Sequence, residues 1–169
     1  ETWFKRVPWL LILMISATFT SIIITKYEAA LTAFGLAAFM PMLMDTGGNA
    51  GGQASTTIIR GLSLGEIEMC DIFKVIWKEL RVAFLCGLSL AVVNFAKMFI
   101  LNDVDRGAYS IMEVVLISAV VCITITITVM LAKLVGCVLP FIVKKVGFDP
   151  AVVANPFITT IVDVISLVA

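Results

Sequence analysis

The sequence predicts an all-α membrane protein with five transmembrane helices per chain. Hydrophobic residues make up 61% of the 169 positions, above the roughly 45–50% that is usual for a soluble domain. They are concentrated in long runs, and about 20 apolar residues are needed for a helix to cross the hydrocarbon core of a bilayer. The chain is therefore expected to be a multi-pass protein surrounded by membrane lipid.

Five apolar runs define the predicted spans. A short polar hairpin at residues 26–28 joins the first two, and the fourth is long enough to be tilted or to break at Gly136 or Pro140. The predicted spans are residues 7–25, 29–43, 82–101, 111–139 and 150–169.

Residues 62–81 lie between spans two and three and have a different pattern. Glu66, Glu68 and Asp71 alternate with apolar residues at helical spacing. This pattern favours an amphipathic helix on the cytoplasmic surface over an irregular loop.

The distribution of basic residues between the spans predicts the orientation. With the N-terminus in the cytoplasm, nine of the 12 Lys and Arg residues fall on the cytoplasmic side and three on the other. Because Lys and Arg are enriched in cytoplasmic loops, we expect the N-terminus to be cytoplasmic.

Composition excludes several classes of function. The formal net charge is zero, so no nucleic-acid partner is expected. The chain has no histidine, which excludes serine–histidine catalysis and HExxH zinc sites. Its four cysteines are scattered without a CxxC pair, a pattern that does not indicate a metal or redox motif.

The last span carries a polar stripe. On a helix, Asn155, Thr159, Asp163 and Ser166 share one face because their spacings are four, four and three. An ionised Asp near the bilayer centre costs about 2.5–3.5 kcal/mol on insertion scales. Asp163 should therefore face protein, water or an ion, although a carboxylate buried in a helix interface is the alternative.

A glycine-rich stretch follows the second span. Four glycines within residues 47–52 would destabilise a helix by about 1 kcal/mol each relative to alanine, so their presence needs a reason. One interpretation is close helix packing through small-xxx-small pairs. The other is a backbone that lines a cavity, with Gly48 at its wall and Asn49, Gln53 and Thr56 offering uncharged oxygens to a hydrated cation. Asp45 is either a pore-mouth carboxylate or a solvated residue near the membrane interface.

These features occur together with smaller motifs. The set comprises Pro-Met-Leu-Met-Asp-Thr-Gly-Gly-Asn-Ala-Gly-Gly-Gln at 41–53, Arg-Gly-Leu at 60–62, Asp-Pro at 149–150, Asn-Pro at 155–156 and Thr-x-x-Asp at 160–163. With these motifs the chain resembles the MgtE family of magnesium channels over essentially its whole length.

The resemblance implies a homodimer of the inner (plasma) membrane that transports Mg²⁺. Its single central pore would be formed mainly by spans two and five of both subunits. Asp163 corresponds to the family's pore aspartate and Asn155 to its cytoplasmic-side pore asparagine. Residues 1–169 would then form one transmembrane pore domain, and cytoplasmic regulatory domains, including a CBS pair, would precede it in the full-length protein.

The chemistry of Mg²⁺ agrees with this expectation. The ion loses water reluctantly and usually contacts one or two carboxylates while it keeps several waters. Two-fold symmetry would bring two Asp163 carboxylates to the axis and balance the charge of the ion. Asn155 and Thr159 would accept hydrogen bonds from its water molecules.

Two other classes of function remain open at this point. An intramembrane aspartyl protease needs two facing carboxylates, and Asp45 and Asp163 are the available pair. The predicted topology separates them, because it puts Asp45 at the cytoplasmic end of span two and Asp163 about 20 Å along a helix from Pro150. A membrane assembly subunit without transport activity is the third class.

Overall fold

The computed structural model is built from long α-helices, and it describes residues 2–33, 35–100 and 110–168. A short 3₁₀-helix precedes α2 at Leu36–Phe39 and another precedes α3 at Met69–Asp71. The α-helices are α1 Thr2–Ala33, α2 Met40–Leu64, α3 Ile72–Ile100, α4 Ile111–Val146 and α5 Pro150–Val168. No strand occurs in the described ranges, and the all-α fold class is confirmed.

Two stretches of the described chain are long and apolar enough to cross a membrane, Met69–Ile100 and Ile111–Val146. They contain the third and fourth predicted spans. Phe157–Val168 is a shorter apolar helix within the fifth. The full count of five spans stays a prediction.

The turn between the first two predicted spans lies later than expected. The polar residues 26–28 do not interrupt α1, which continues to Ala33, because they include neither Gly nor Pro and a helix accommodates them. The chain instead turns at Gly35, whose φ of 65° is in the left-handed region that favours glycine. The hairpin predicted at 26–28 is wrong.

This later turn moves the second helix along the sequence. Helix α2 begins at Met40, has Pro41 in its first turn and ends at Leu64 before Gly65, whose φ is 73°. The predicted end of span two at residue 43 is therefore wrong, and the glycine-rich stretch lies within α2 as a regular helix instead of following the span.

The predicted amphipathic helix at 62–81 does not exist as a separate element. Its first residues complete α2, the next form the turn after Gly65, and the rest begin α3, which continues without a break to Ile100. The turn is held by a capping box, in which Glu68 and Asp71 each accept a hydrogen bond from the other's backbone N–H.

Helix α4 is continuous, contrary to the predicted break at Gly136 or Pro140. It starts with a capping box of Ser110 and Glu113, whose hydrogen bonds are 3.3 and 2.7 Å long. Both Gly136 and Pro140 are buried, and packing against neighbouring helices keeps a proline-containing membrane helix intact.

Helix α4 contacts α2, α3 and α5, and α5 also packs against α2 and α1. The glycines show the directions of the helices. A Cβ built on Gly47 would lie 2.7 Å from Thr128 Cγ2, and one on Gly51 would lie 3.0 Å from the Ala132 carbonyl oxygen, so α2 and α4 are parallel. Gly47 faces Val162 while Gly51 faces Ile158, so α2 and α5 are antiparallel.

The closest approach in the bundle joins α2 and α4. A methyl group on Gly136 would overlap the carbonyl oxygen of Gly51, which is rigid backbone. Gly52 differs, because a Cβ built there has no neighbouring atom within 4 Å. One face of the glycine-rich stretch therefore serves packing and the other does not.

We expect a glycine at the α2–α4 contact and a glycine on the open face of α2 to respond differently to alanine. Gly136→Ala should lower the free energy of unfolding by about 1–3 kcal/mol, because two helices must separate to admit the methyl group. Gly52→Ala should be neutral or stabilising by up to about 1 kcal/mol, because alanine is the better helix former. Thermal unfolding of both variants in the same detergent measures the difference, and equal destabilisation would contradict this account of α2.

Candidate functional site

A cleft of about 900 Å³ runs along α2 where this helix meets α5. Its walls carry amide and hydroxyl groups within an otherwise apolar bundle. The lining residues are Gly48, Asn49, Gly52, Gln53, Thr56, Thr57, Ile158 and Thr159.

Helical spacing places these groups together. Asn49, Gln53 and Thr56 follow one another by four and three residues, so they share one face of α2. Gly48 and Gly52 stand beside them and add no side-chain volume. The glycine-rich stretch has two sides: Gly47 and Gly51 pack against α4 and α5, whereas Gly48 and Gly52 line the cleft.

The hydroxyl groups in the cleft are oriented by their own helix. Thr56 donates its hydroxyl hydrogen to the Gly52 carbonyl at 2.9 Å, and Thr57 donates to the Gln53 carbonyl at 2.9 Å. Since each hydroxyl hydrogen is used in this way, the oxygen faces its surroundings as an acceptor. Acceptor oxygens suit a cation, or the water molecules that surround one.

The structure brings together five of the predicted site residues. Gly48, Asn49, Gln53 and Thr56 on α2 meet Thr159 on α5 in the cleft. Sequence reasoning missed Gly52, Thr57 and Ile158, although the helical spacing of Gly52 from Gly48 was a usable signal.

The two predicted carboxylates are not part of the cleft wall. Asp163 is half-buried on α5, one helical turn beyond Thr159. Asp45 is exposed on α2, and its Oδ2 accepts a hydrogen bond of 3.1 Å from Asn49 Nδ2. The side chain of Asn155 lies outside the described residues. In the part of the chain that the structure describes, no three Cys, Asp or Glu side chains form a group that could hold a metal ion.

The separation in depth predicted for Asp45 and Asp163 is wrong. Because α2 and α5 are antiparallel and Gly47 faces Val162 and Ser166, the two acids lie at similar levels of the bundle. The earlier prediction failed because it placed the end of span two near residue 43, whereas Asp45 belongs to the beginning of α2.

A second cavity of about 540 Å³ lies among α2, α3 and α4. It is lined by Asp45, Asn49 and Gln53 on α2, Cys86 and Ser89 on α3, and Lys133 on α4. Lys133 is one of the nine basic residues assigned to the cytoplasmic side from the sequence, but it is only 7% exposed inside α4. Its position within an apolar run was a signal, since charged residues in membrane helices usually have a function.

The fold and the cleft together indicate a class of protein. Long apolar helices with a row of neutral oxygen groups between two of them are typical of a membrane protein that conducts or carries a polar solute. The sequence profile of the MgtE family, described as a divalent cation transporter, matches residues 40–169. The chain belongs to this family of transporters, which are membrane proteins and not enzymes.

Individual relatives agree with the family profile. The magnesium transporter MgtE of Thermus thermophilus is 37% identical over 98% of this chain, and the MgtE of Bacillus subtilis is 32% identical over 97%. That of Enterococcus faecalis is 31% identical over 96%. The chain spans 34% of the length of each of these relatives.

Thiol labelling can test whether water fills the cleft. In a protein whose four native cysteines are replaced by serine, we expect Thr56→Cys to react about tenfold faster or more with a membrane-impermeant maleimide than Ala54→Cys does, because reaction requires an accessible thiolate. Ala54 is the matched control, since it lies on the same helix and is 2% exposed. Labelling of Thr56→Cys only by a lipid-soluble reagent would show that this face of α2 meets lipid.

Proposed function

We propose that this chain is the membrane pore domain of a magnesium transporter. Mg²⁺ would cross the membrane through a pore at the axis of a homodimer, lined by α2 and α5 of both subunits. The observation that supports this most directly is the cleft of neutral oxygen groups along these two helices. The name shared by the relatives, magnesium transporter, supports the choice of ion.

The chemistry of the cleft suits a hydrated divalent ion. Amide oxygens from Asn49 and Gln53 and hydroxyl oxygens from three threonines accept hydrogen bonds but carry no charge. Mg²⁺ binds its first shell of water tightly and leaves it reluctantly. A wall of acceptors that hydrogen-bond to this water lets the ion pass without paying the full cost of dehydration.

The exposure of the polar face supports the proposal of a second subunit. Asn49, Gln53, Thr56 and Thr159 are exposed in a single chain, and polar groups at membrane depth need water or protein beside them. A two-fold axis next to this face would enclose the cleft between two copies. It would also bring two Asp163 carboxylates to one level, where together they balance the charge of Mg²⁺.

Asn155 and Thr159 extend this site along α5. Thr159 already lies in the cleft, and Asn155 is one helical turn nearer the start of the helix, on the side proposed to be cytoplasmic. Gly48 would keep the pore open. Asp45, which is hydrogen-bonded to Asn49 near the beginning of α2, would attract cations at the end of the pore that lies away from Asn155. Mg²⁺ is the transported ion in this proposal and not a resident cofactor.

The wider arrangement is also a proposal. The basic residues favour an N-terminus in the cytoplasm and five spans in the inner (plasma) membrane. Since the relatives are about three times as long as the matched region, the full-length protein has room for the cytoplasmic regulatory domains.

The aspartyl protease is disfavoured by membership of a transporter family, and a subunit without transport is an outcome of the experiment below.

We expect Asp163→Asn to lower Mg²⁺ flux into proteoliposomes by roughly tenfold or more, because it removes two charges from the narrowest level of the dimer pore. Asp163→Glu should retain part of the flux, because it keeps the charge. The yield and melting temperature of the Asn variant should stay near those of the unchanged protein, since asparagine keeps the size and a hydrogen-bonding oxygen.

Glu28→Gln is the control for this experiment, because it removes an exposed carboxylate from α1, outside the cleft, and should leave the flux unchanged. Normal flux in Asp163→Asn would remove Asp163 from the mechanism. Absence of any flux in the unchanged, folded protein would favour the non-transporting subunit.

Assembly can be tested through Thr56 in the background without native cysteines. If the polar faces of two copies meet, Thr56→Cys should form a disulfide-linked dimer when it is oxidised in the membrane. Val92→Cys on the exposed outer side of α3 is the matched control and should stay monomeric at the same protein-to-lipid ratio. Equal cross-linking of both variants would indicate random collision and contradict a two-fold axis beside α2.

A further inference from the structure

A buried ion pair joins α3 and α4. Lys133 Nζ lies 3.8 Å from Glu79 Oε2, and the side chains are 9% and 14% exposed. A second ion pair, between Lys74 and Asp71 at the start of α3, has a lysine side chain that is 86% exposed. The Glu79–Lys133 pair is therefore largely removed from water. Charges in such a place interact over longer distances than charges in water do.

Packing alone does not explain the buried pair. Removing two charges from water is unfavourable, and apolar residues of similar volume often stabilise a protein equally well or better. The neighbouring core clusters consist of apolar residues, so an apolar pair would match its surroundings better than two charges. A charged pair in this position points to a role in the movement of ions.

The location of Lys133 suggests which role. Lys133 lines the cavity among α2, α3 and α4 together with the Asp45 carboxylate and the amides of Asn49 and Gln53. The same two amides also line the cleft between α2 and α5. The lysine charge thus stands beside one edge of the polar face of α2, and the proposed ion path runs along the other edge.

We propose that Glu79 and Lys133 determine the charge selectivity of this path. The inference rests on the proposed function. An unpaired Lys133 would repel every cation at the polar face of α2, and it would repel a divalent ion twice as strongly as a monovalent one, because the interaction scales with the charge of the ion. Glu79 cancels most of this field, so that Mg²⁺ is admitted, and the residual field is that of the residue that lines the cavity.

The two residues should therefore change selectivity in opposite directions. In Glu79→Gln the lysine is left unpaired, and the ratio of Mg²⁺ to Na⁺ permeability should fall about tenfold or more. In Lys133→Met the glutamate is left unpaired, and the ratio should stay the same or rise. The double variant Glu79→Gln/Lys133→Met restores neutrality, so its ratio should return to within about threefold of the original.

The experiment measures this permeability ratio in proteoliposomes that contain the full-length protein with each substitution. Lys74→Gln is the matched control, because it breaks the exposed ion pair at the start of the same helix and should leave the ratio unchanged. A merely structural pair would lower yield and melting temperature in both single variants, while the folded fraction would keep the original ratio.

If Glu79→Gln does not reach the membrane, the exchanged pair Glu79→Lys/Lys133→Glu keeps both charges buried and puts a carboxylate on the α2–α3–α4 cavity. Its permeability ratio should rise several-fold above the original. An unchanged ratio in folded Glu79→Gln, or in the exchanged pair, overturns this inference while Asp163→Asn still reports on the pore. Absence of Mg²⁺ flux in the unchanged protein overturns the proposed function and this inference with it.

Discussion

The contact between the Gly51 carbonyl and Gly136 is the constraint on which the rest of the bundle depends. It allows α2 and α4 to touch through their backbones, and no other residue fits at position 136 without moving a helix. Because lipid tails are as apolar as leucine, association of membrane helices relies on such close packing. Once α2 is fixed against α4, Gly47 allows α5 to pack against both helices. These contacts set the orientation of the polar face of α2.

That orientation separates two tasks which one helix performs. The side of α2 with Gly47 and Gly51 has almost no side-chain volume and packs closely against α4 and α5. The side with Asn49, Gln53 and Thr56 carries polar groups and makes the cleft. Glycine in a helix normally weakens it, but the surrounding contacts compensate for this loss, and α2 remains helical through all four glycines.

The distribution of charge follows from the same geometry. The cleft wall itself is neutral, Asp163 lies a turn beyond it on α5, and Asp45 is hydrogen-bonded to Asn49 of the wall. Lys133, on the other side of α2, is paired with Glu79. A hydrated ion in such a cleft meets many weak acceptors and few fixed charges, so it can be attracted without being held permanently. Strong direct ligands would instead favour tight binding over passage.

The sequence by itself determined the features that depend on neighbours along the chain: the all-α class, the polar stripes of α2 and α5 and the family, because helical periodicity and motifs are local. Only the tertiary structure decided where α2 begins, which glycines pack and which line the cleft, and that Lys133 is paired with Glu79. These properties depend on contacts between distant segments. Residues 26–28 show the limit clearly, since a polar triplet is compatible with a turn or a helix and the bundle selects the helix.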